Sequence, residues 1–484
     1  MTNALDGLSP KILWELFGEI SQQPRSSGKE EKIRAYLKEF AAKHSFETRE
    51  DSVGNIVIIV PATPGHENAP TVVLQGHMDM VCEKNEDVEF NFDTDPIRLV
   101  RDGEWLKAYG TTLGADNGIG LAAGLAAAID PEVVHGPLEL LCTVDEETGL
   151  TGAFELSTDL LTGRILLNLD TEDTGEVCIG CAGGGSISGY LHCDWENTKA
   201  GLDGIVVRVK GLSGGHSGID IHRNRGNAIK LLARVLHAFS EKFPFFVAYI
   251  NGGDKHNAIP REAMAALALR DVHAGNAESI VAELLPKLLA EFPNEPGLTI
   301  SVERGATPDR VLGAETGMKL VRLLMSLHHG VMAMSRDIAG LVETSNNVAS
   351  IKLEEDRFAI HNSPRSSQDN ALVGALKQLQ ATFELAGADV ETQPSYPGWQ
   401  PNTGSNLLGI VEAVHEELFS FAPKRRAVHA GLECGLIGEK FPGMEMISIG
   451  PDIVNPHSPD EAVRIASVND FWSLLKNTLQ KLAE

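Results

Sequence analysis

Thr71-Val-Val-Leu-Gln-Gly-His-Met-Asp79 opens on an apolar run, residues 71–74, and closes on a histidine and an acid two residues apart. A short run of this kind without polar alternation marks a strand covered on both faces. Side chains in a strand repeat with a period of two, so His77 and Asp79 point to one side. There Asp79 can accept a hydrogen bond from one imidazole nitrogen while the other binds a metal ion. A surface His-x-Asp pair at a strand end is the competing reading.

Outward from this stretch, similar runs recur at 56–60, 138–143, 165–169 and 446–449, alternating with helical stretches such as 121–129. Ser9-Pro10 followed by Ile12, Leu13, Leu16, Phe17 and Ile20 predicts a first helix. Ile33, Leu37 and Phe40 predict a second, and Phe471, Leu474 and Leu475 a last one. The alternation predicts an α/β catalytic domain with a mixed, helix-covered sheet. It is interrupted by a segment of different rhythm: strand 205–209, helix 228–239, two strands, helix 280–292 and strand 298–302. That β-α-β-β-α-β order is followed by a related one over roughly 317–393. We therefore expect the catalytic domain in two parts, 1–186 and 395–484, around an inserted α+β lid, 187–394, with room for two similar halves.

A chain of 484 residues, 43% hydrophobic and 22% charged, buries a sizeable core. Its formal charge of −26 repels nucleic acid and anionic membranes. Its N-terminus has no basic, then apolar, leader pattern, and no window has the roughly 18 apolar residues of a membrane span. The expectation is a cytoplasmic protein with no nucleic-acid or membrane partner. Cys82, Cys142, Cys178, Cys181, Cys193 and Cys434 are scattered and read as reduced thiols. Cys178 and Cys181 form a C-x-x-C pair without a second pair to complete a zinc knuckle, which favours small buried hydrophobes.

Four further signals follow. Leu113-Gly-Ala-Asp-Asn-Gly-Ile-Gly120 is a glycine-rich turn in which Asp116 either meets metal ions or caps the helix that follows. It lacks the Gly-Lys-Ser/Thr ending of a phosphate cradle. Asp145-Glu-Glu147 follows the run 138–144, where adjacent acids repel unless cations absorb their charge. Glu147 reads as a metal ligand and Glu146 as the base for an attacking water, against a solvated acidic turn. Asp170 closes the run 165–169, and His457 lies in Gly450-Pro-Asp-Ile-Val-Asn-Pro-His-Ser-Pro459. Every candidate follows an apolar strand at its C-terminal end, the edge where sites assemble in open α/β sheets. Histidines and carboxylates there suit two metal ions about 3.5–4 Å apart.

At these residues the chain resembles the carnosinase and aminoacylase superfamily of co-catalytic zinc hydrolases. The resemblance runs end to end. The strings GHMDMV, GTTLGADNGIG, GCAGG, GGHSG, NAIPR, YPGWQP, HAGLECG and GPDIVNPHSPDE resemble the bacterial aminoacyl-histidine dipeptidases, the peptidase D group. The resemblance implies that His77 with Asp170 holds one ion and Glu147 with His457 the other, Asp116 bridging. It implies Glu146 as base and Asp79 as support for His77. In the lid it implies His216 as the group that polarises the scissile carbonyl, with Asn257 and Arg365 binding substrate. The loop beginning at Gly431, in the catalytic domain, is implied to approach the peptide carboxylate.

The implied activity is hydrolysis of dipeptides such as Xaa-His, including β-alanyl-histidine, with two divalent ions, zinc first and cobalt or manganese acceptable to such ligands. A homodimer is an assembly open to such a chain, and the lid is longer than in simple dimeric relatives, where the lid histidine acts across subunits. Two rivals are an amidohydrolase of N-acyl amino acids, using the same metals, and a non-catalytic metal-binding protein. The latter would have no use for an ionisable Glu146 beside Glu147.

Overall fold

The computed structural model describes residues 4–484, which form two compact units. The first comprises the chain up to Cys181 together with Trp399–Ala427 and Leu432–Glu484. Its centre is an eight-stranded sheet in the order Glu47–Glu50, Ile56–Val60, Leu138–Thr143, Val72–His77, Ile165–Asn168, Glu445–Ser448, Glu176–Cys181, Lys424–Val428. The four middle strands from Leu138–Thr143 to Glu445–Ser448 are parallel, and antiparallel strands flank them, so the sheet is mixed. All residues of Leu138–Thr143 and Val72–His77 are buried, as expected of strands with both faces covered. Helices Lys11–Ile20, Ala115–Ile129 and Ile465–Ala483 bury apolar stripes that include Leu13, Phe17, Leu121, Leu125, Phe471 and Leu475. Parallel alignment brings the C-terminal ends of four strands to one edge, and His77, Asp79, Glu146, Glu147 and Asp170 lie at or just beyond those ends.

The second unit comprises Ala182–Gly398 with Val428–Gly431. Its sheet runs Thr299–Gly305, Asp203–Lys210, Ala263–Leu269, Phe246–Gly252, Val342–Glu354, Arg357–Ser366, Gly183–His192, Asp389–Tyr396. The order has an internal symmetry. The first four strands are β-α-β-β-α-β with helices Ala228–Ser240 and Ala274–Glu291, and the last four repeat that plan with Ala314–Ser326 and Asp369–Leu385. The two sets meet at the pair Gly252 and Ile351. Strand Gly183–His192 belongs to the second set yet precedes the whole first set in the chain. One apolar core, with Leu232, Phe239 and Ile250 from one set and Phe358, Ile360 and Phe383 from the other, underlies both.

Among the described residues no helix is long and apolar enough to cross a membrane. Among the described residues none of the six cysteines is in a disulfide.

Candidate active site

His77 ends its strand with 1% of its surface exposed. Its Nδ1 lies 3.3 Å from Asp79 Oδ1, and its Nε2 lies 2.9 Å from Asp116 Oδ1 and 3.5 Å from Asp170 Oδ1. Burial works against a charged imidazole, but Asp170, Asp116 and Asp79 outweigh it and push His77 well above its ordinary range. Asp79 does more than orient this ring. It accepts the amides of Glu146 at 3.0 Å and Glu147 at 3.2 Å and the Ser27 hydroxyl at 2.7 Å, and so fixes the helical turn Glu146–Gly149. Burial would raise its carboxyl, yet the bonds from His77, Ser27 and Glu146 hold it down at about 2.

Asp116 does not cap its helix: the cap position is Gly114, without a side-chain bond to the first turn. Instead its two oxygens face two histidines, Oδ1 toward His77 and Oδ2 toward His457 Nε2 at 3.2 Å. The loop before it is held by Glu461, whose carboxylate accepts the amides of Leu113 (2.7 Å), Gly114 (2.9 Å), Ala115 (2.8 Å) and Asp116 (3.3 Å). Gly114 has a φ of +68°, and a Cβ there would lie 2.4 Å from the Arg25 guanidinium, so only glycine fits. Buried Arg25 also donates to the carbonyls of Met78 (3.1 Å), Asp79 (2.7 Å) and Gly114, tying the His77 and Asp116 loops together.

Glu147 Oε2 lies 3.0 Å from His457 Nε2. Hydrogen bonds to Asp116 and Glu147 push His457 up to about 11. Burial pushes Asp170 up to about 6, against the pull of His77, and Asn117 donates to its Oδ1 at 2.6 Å. Burial likewise pushes Glu146 well above the usual carboxylate range, with Asp170, Glu433 and Glu147 adding to it against His77.

The seven expected residues of this unit therefore converge. His77, Asp116 and Asp170 form one group whose ligand atoms lie within 4.8 Å of one another, and Asp116, Glu147 and His457 form another that shares Asp116. Among the described residues no lysine or arginine pairs with Asp116, Glu147 or Asp170. Packed acids without a cationic side chain are costly. Two imidazoles with carboxylate oxygens are a donor set that binds divalent ions of the zinc kind, and the shared carboxylate fits two of them.

Sequence reasoning missed Glu461, Arg25 and Glu433. Glu433 is 1% exposed, accepts from Gln75 at 2.6 Å and Thr143 at 2.8 Å, leaves Oε1 without a partner, and is pushed up to about 7 by burial. The available signal was position: Glu461 follows His457 by four residues, and Glu433 sits inside the HAGLECG string.

The second unit holds the other expected residues. The amides of Gly218 (3.1 Å) and Ile219 (3.0 Å) both donate to His216 Nδ1, so the ring proton sits on Nε2. Burial, then the charge of Arg365, push His216 down to about 4 against Asp220, leaving a neutral N–H donor at pH 7. The Asn257 carbonyl accepts from Ser217 at 2.8 Å, while its side chain is exposed.

Arg365 is 7% exposed, with its Nε unpartnered and Nη1 donating to the Tyr396 hydroxyl at 2.9 Å. It has no carboxylate within ion-pair distance among the described residues. Gly431 groups with this unit rather than with the residues after it, through Ala182, whose amide donates to Val428 and Ala430.

The sequence matches Peptidase family M20/M25/M40 over residues 73–481. It is 43% identical over 481 residues to the cytosol non-specific dipeptidase of Escherichia coli (strain K12), covering 99% of each chain. The crystal structure of aminoacylhistidine dipeptidase from Vibrio alginolyticus superposes with a TM-score of 0.91 at 41% identity, covering 99% of this chain and 98% of that one. Aminopeptidase PepT from Bacillus cereus ATCC 10987 shares the fold at a TM-score of 0.58 and 16% identity, covering 99% and 100%. With a family match that spans most of its length and a relative aligned from end to end, the chain belongs to peptidase family M20/M25/M40.

Proposed function

We propose that this chain is a metal-dependent dipeptidase acting on dipeptides such as Xaa-His, β-alanyl-histidine among them. The observation that carries the reading is Asp116, whose two oxygens each face a different histidine within a cluster of half-buried acids. His77 and Asp170 would hold one divalent ion and Glu147 and His457 the other, with Asp116 shared. Zinc is the first choice, with cobalt or manganese acceptable to the same nitrogen and oxygen donors. Such ions supply Lewis acidity toward the scissile carbonyl and the attacking water.

The chain's own groups do the rest. Glu146 takes a proton from the water as its oxygen bonds to the carbonyl carbon, then passes that proton to the leaving nitrogen as the C–N bond breaks. A carboxyl raised by burial suits both halves of that exchange. Asp79 holds the His77 ring and the Glu146 amide in one bonded frame. His216 offers its Nε2–H to the oxyanion that develops on the substrate. Arg365, buried without an acid partner, grips the peptide's carboxylate, which is how a dipeptide is told from a blocked one. Asn257 and Gly431 line the substrate beside it. In this reading the second unit supplies the substrate-reading residues. Cytoplasmic residence completes the proposal, supported by the cytosolic Escherichia coli relative.

Turnover of β-alanyl-histidine, an acetylated amino acid and a tripeptide on one metal-loaded preparation tests it. Hydrolysis of the dipeptide alone is expected. Preference for the acetylated compound would make the chain an amidohydrolase, and no turnover of any would leave a metal-binding protein.

A further inference from the structure

Arg365 stands in a row of opposed residues that crosses four strands. In the antiparallel register Ser345 pairs with Arg365, Arg365 with Gly184, and Gly184 with Tyr396. Directly opposed residues point to the same face of a sheet. Ser345, Arg365, Gly184 and Tyr396 therefore form one line. A side chain at the third place would stand between its neighbours, and glycine is there instead. A Cβ on Gly184 would lie 2.5 Å from the Tyr396 hydroxyl, so that hydroxyl occupies the space a side chain would need. Next-nearest strands are about 9–10 Å apart, a gap that an arginine and a tyrosine span together.

The chain departs from regular pairing to arrange this. Asp389 to Gln393 pair with Tyr190 to Ser186 in even register, which would set Ser395 opposite Gly184. The register shifts between Gln393 and Tyr396, and the extra residue turns Tyr396 onto Gly184. Pro394 lies in the shifted stretch, where a missing amide costs no ladder bond. Gly431 covers the ring from outside, with room for a Cβ only 3.1 Å from Tyr396 Cε2.

The hydrogen-bond count then leaves one proton unspent. The Tyr396 oxygen accepts from Arg365 Nη1 at 2.9 Å, and its own O–H has no acceptor among the described residues. A half-buried tyrosine hydroxyl fixed against a guanidinium, with its proton free, presents a neutral donor beside a cation. That pairing fits one oxygen of a carboxylate while the guanidinium holds the group's charge. We propose that Tyr396 is a second contact for the substrate's C-terminal carboxylate, donating its phenolic hydrogen to the group that Arg365 binds. The inference rests on the dipeptidase reading and on Arg365 as the anchor.

The test is kcat/KM for a free dipeptide and for its C-terminal amide, measured on the wild type and on Tyr396→Phe, Gly184→Ala and Arg365→Lys, each checked by its melting curve. Tyr396→Phe keeps the ring and removes only the hydroxyl. It should lose about 10-fold or more on the free dipeptide and little on the amide, the scale of one hydrogen bond to a charged group. Gly184→Ala should show the same selective loss, because its methyl displaces the hydroxyl. An equal loss on both substrates would make Tyr396 a packing residue and overturn the inference. A selective loss in Arg365→Lys with none in Tyr396→Phe would overturn it while leaving the Arg365 anchor standing. No selective loss in either would remove both.

Discussion

Asp79 and Glu146 show how little chemistry depends on residue type alone. Both are acids, but Asp79 spends its oxygens on His77, Ser27 and two amides and is held down at about 2, whereas burial holds Glu146 well above the usual range. In the proposed mechanism the first stays ionised and orients, and the second exchanges a proton. Glu146→Gln should therefore abolish hydrolysis while metal content, measured by elemental analysis after dialysis, stays near that of the wild type. Substantial remaining turnover, or loss of both ions, would end the assignment of Glu146 as base. At this scale the sequence was legible where a distinctive string stood at a strand end, as at His77 and Glu147, and where one opened a helix, as at Asp116, which does not follow a strand directly as the sequence pattern suggests. It said nothing of Arg25 and gave only the position of Glu461, four residues after His457, because a buried carboxylate that holds four amides looks like any other acid until the loop it holds is folded around it.

Elements were legible in proportion to their apolar content. The runs at 138–143 and 165–169 became Leu138–Thr143 and Ile165–Asn168, since a strand covered on both faces must be written in apolar residues. Strand Gly183–His192 escaped notice for the opposite reason. Its four glycines and two serines carry almost no strand propensity, and they are there because neighbours need the room: a Cβ on Gly189 would lie 2.0 Å from the Phe383 ring.

The short segment Val428–Gly431 carries a consequence of its own for pH. Burial, then Arg365 and His216, push His429 down to about 3, while an unfolded histidine titrates near 6.5. Between those values the unfolded chain binds a proton that the folded chain does not, so stability rises with pH across this window and is lost as pH falls from 6.5 toward 3. The cost approaches about 1.4 kcal/mol per pH unit. Denaturant unfolding at pH 6, 5 and 4 should thus show a shallower decline for His429→Asn than for the wild type. Parallel declines would mean that His429 is protonated in the folded protein.

Across the whole molecule, the proposed metal ligands sit on a core that is expected to fold without the ions. The buried strands and helices of the first unit, with Trp14, Phe17 and Phe471 among their largest side chains, supply extensive apolar burial of their own. Chelation should abolish activity and leave a cooperative melting transition in place, and loss of that transition would make the ions structural. The central claim is that paired ions around Asp116 serve a dipeptidase. Its most direct test is the rate of β-alanyl-histidine hydrolysis as metal-free protein is titrated with zinc. No turnover is expected at the start, followed by a rise that levels off near two equivalents per chain. A plateau near one equivalent, or turnover that does not depend on added metal, would contradict it.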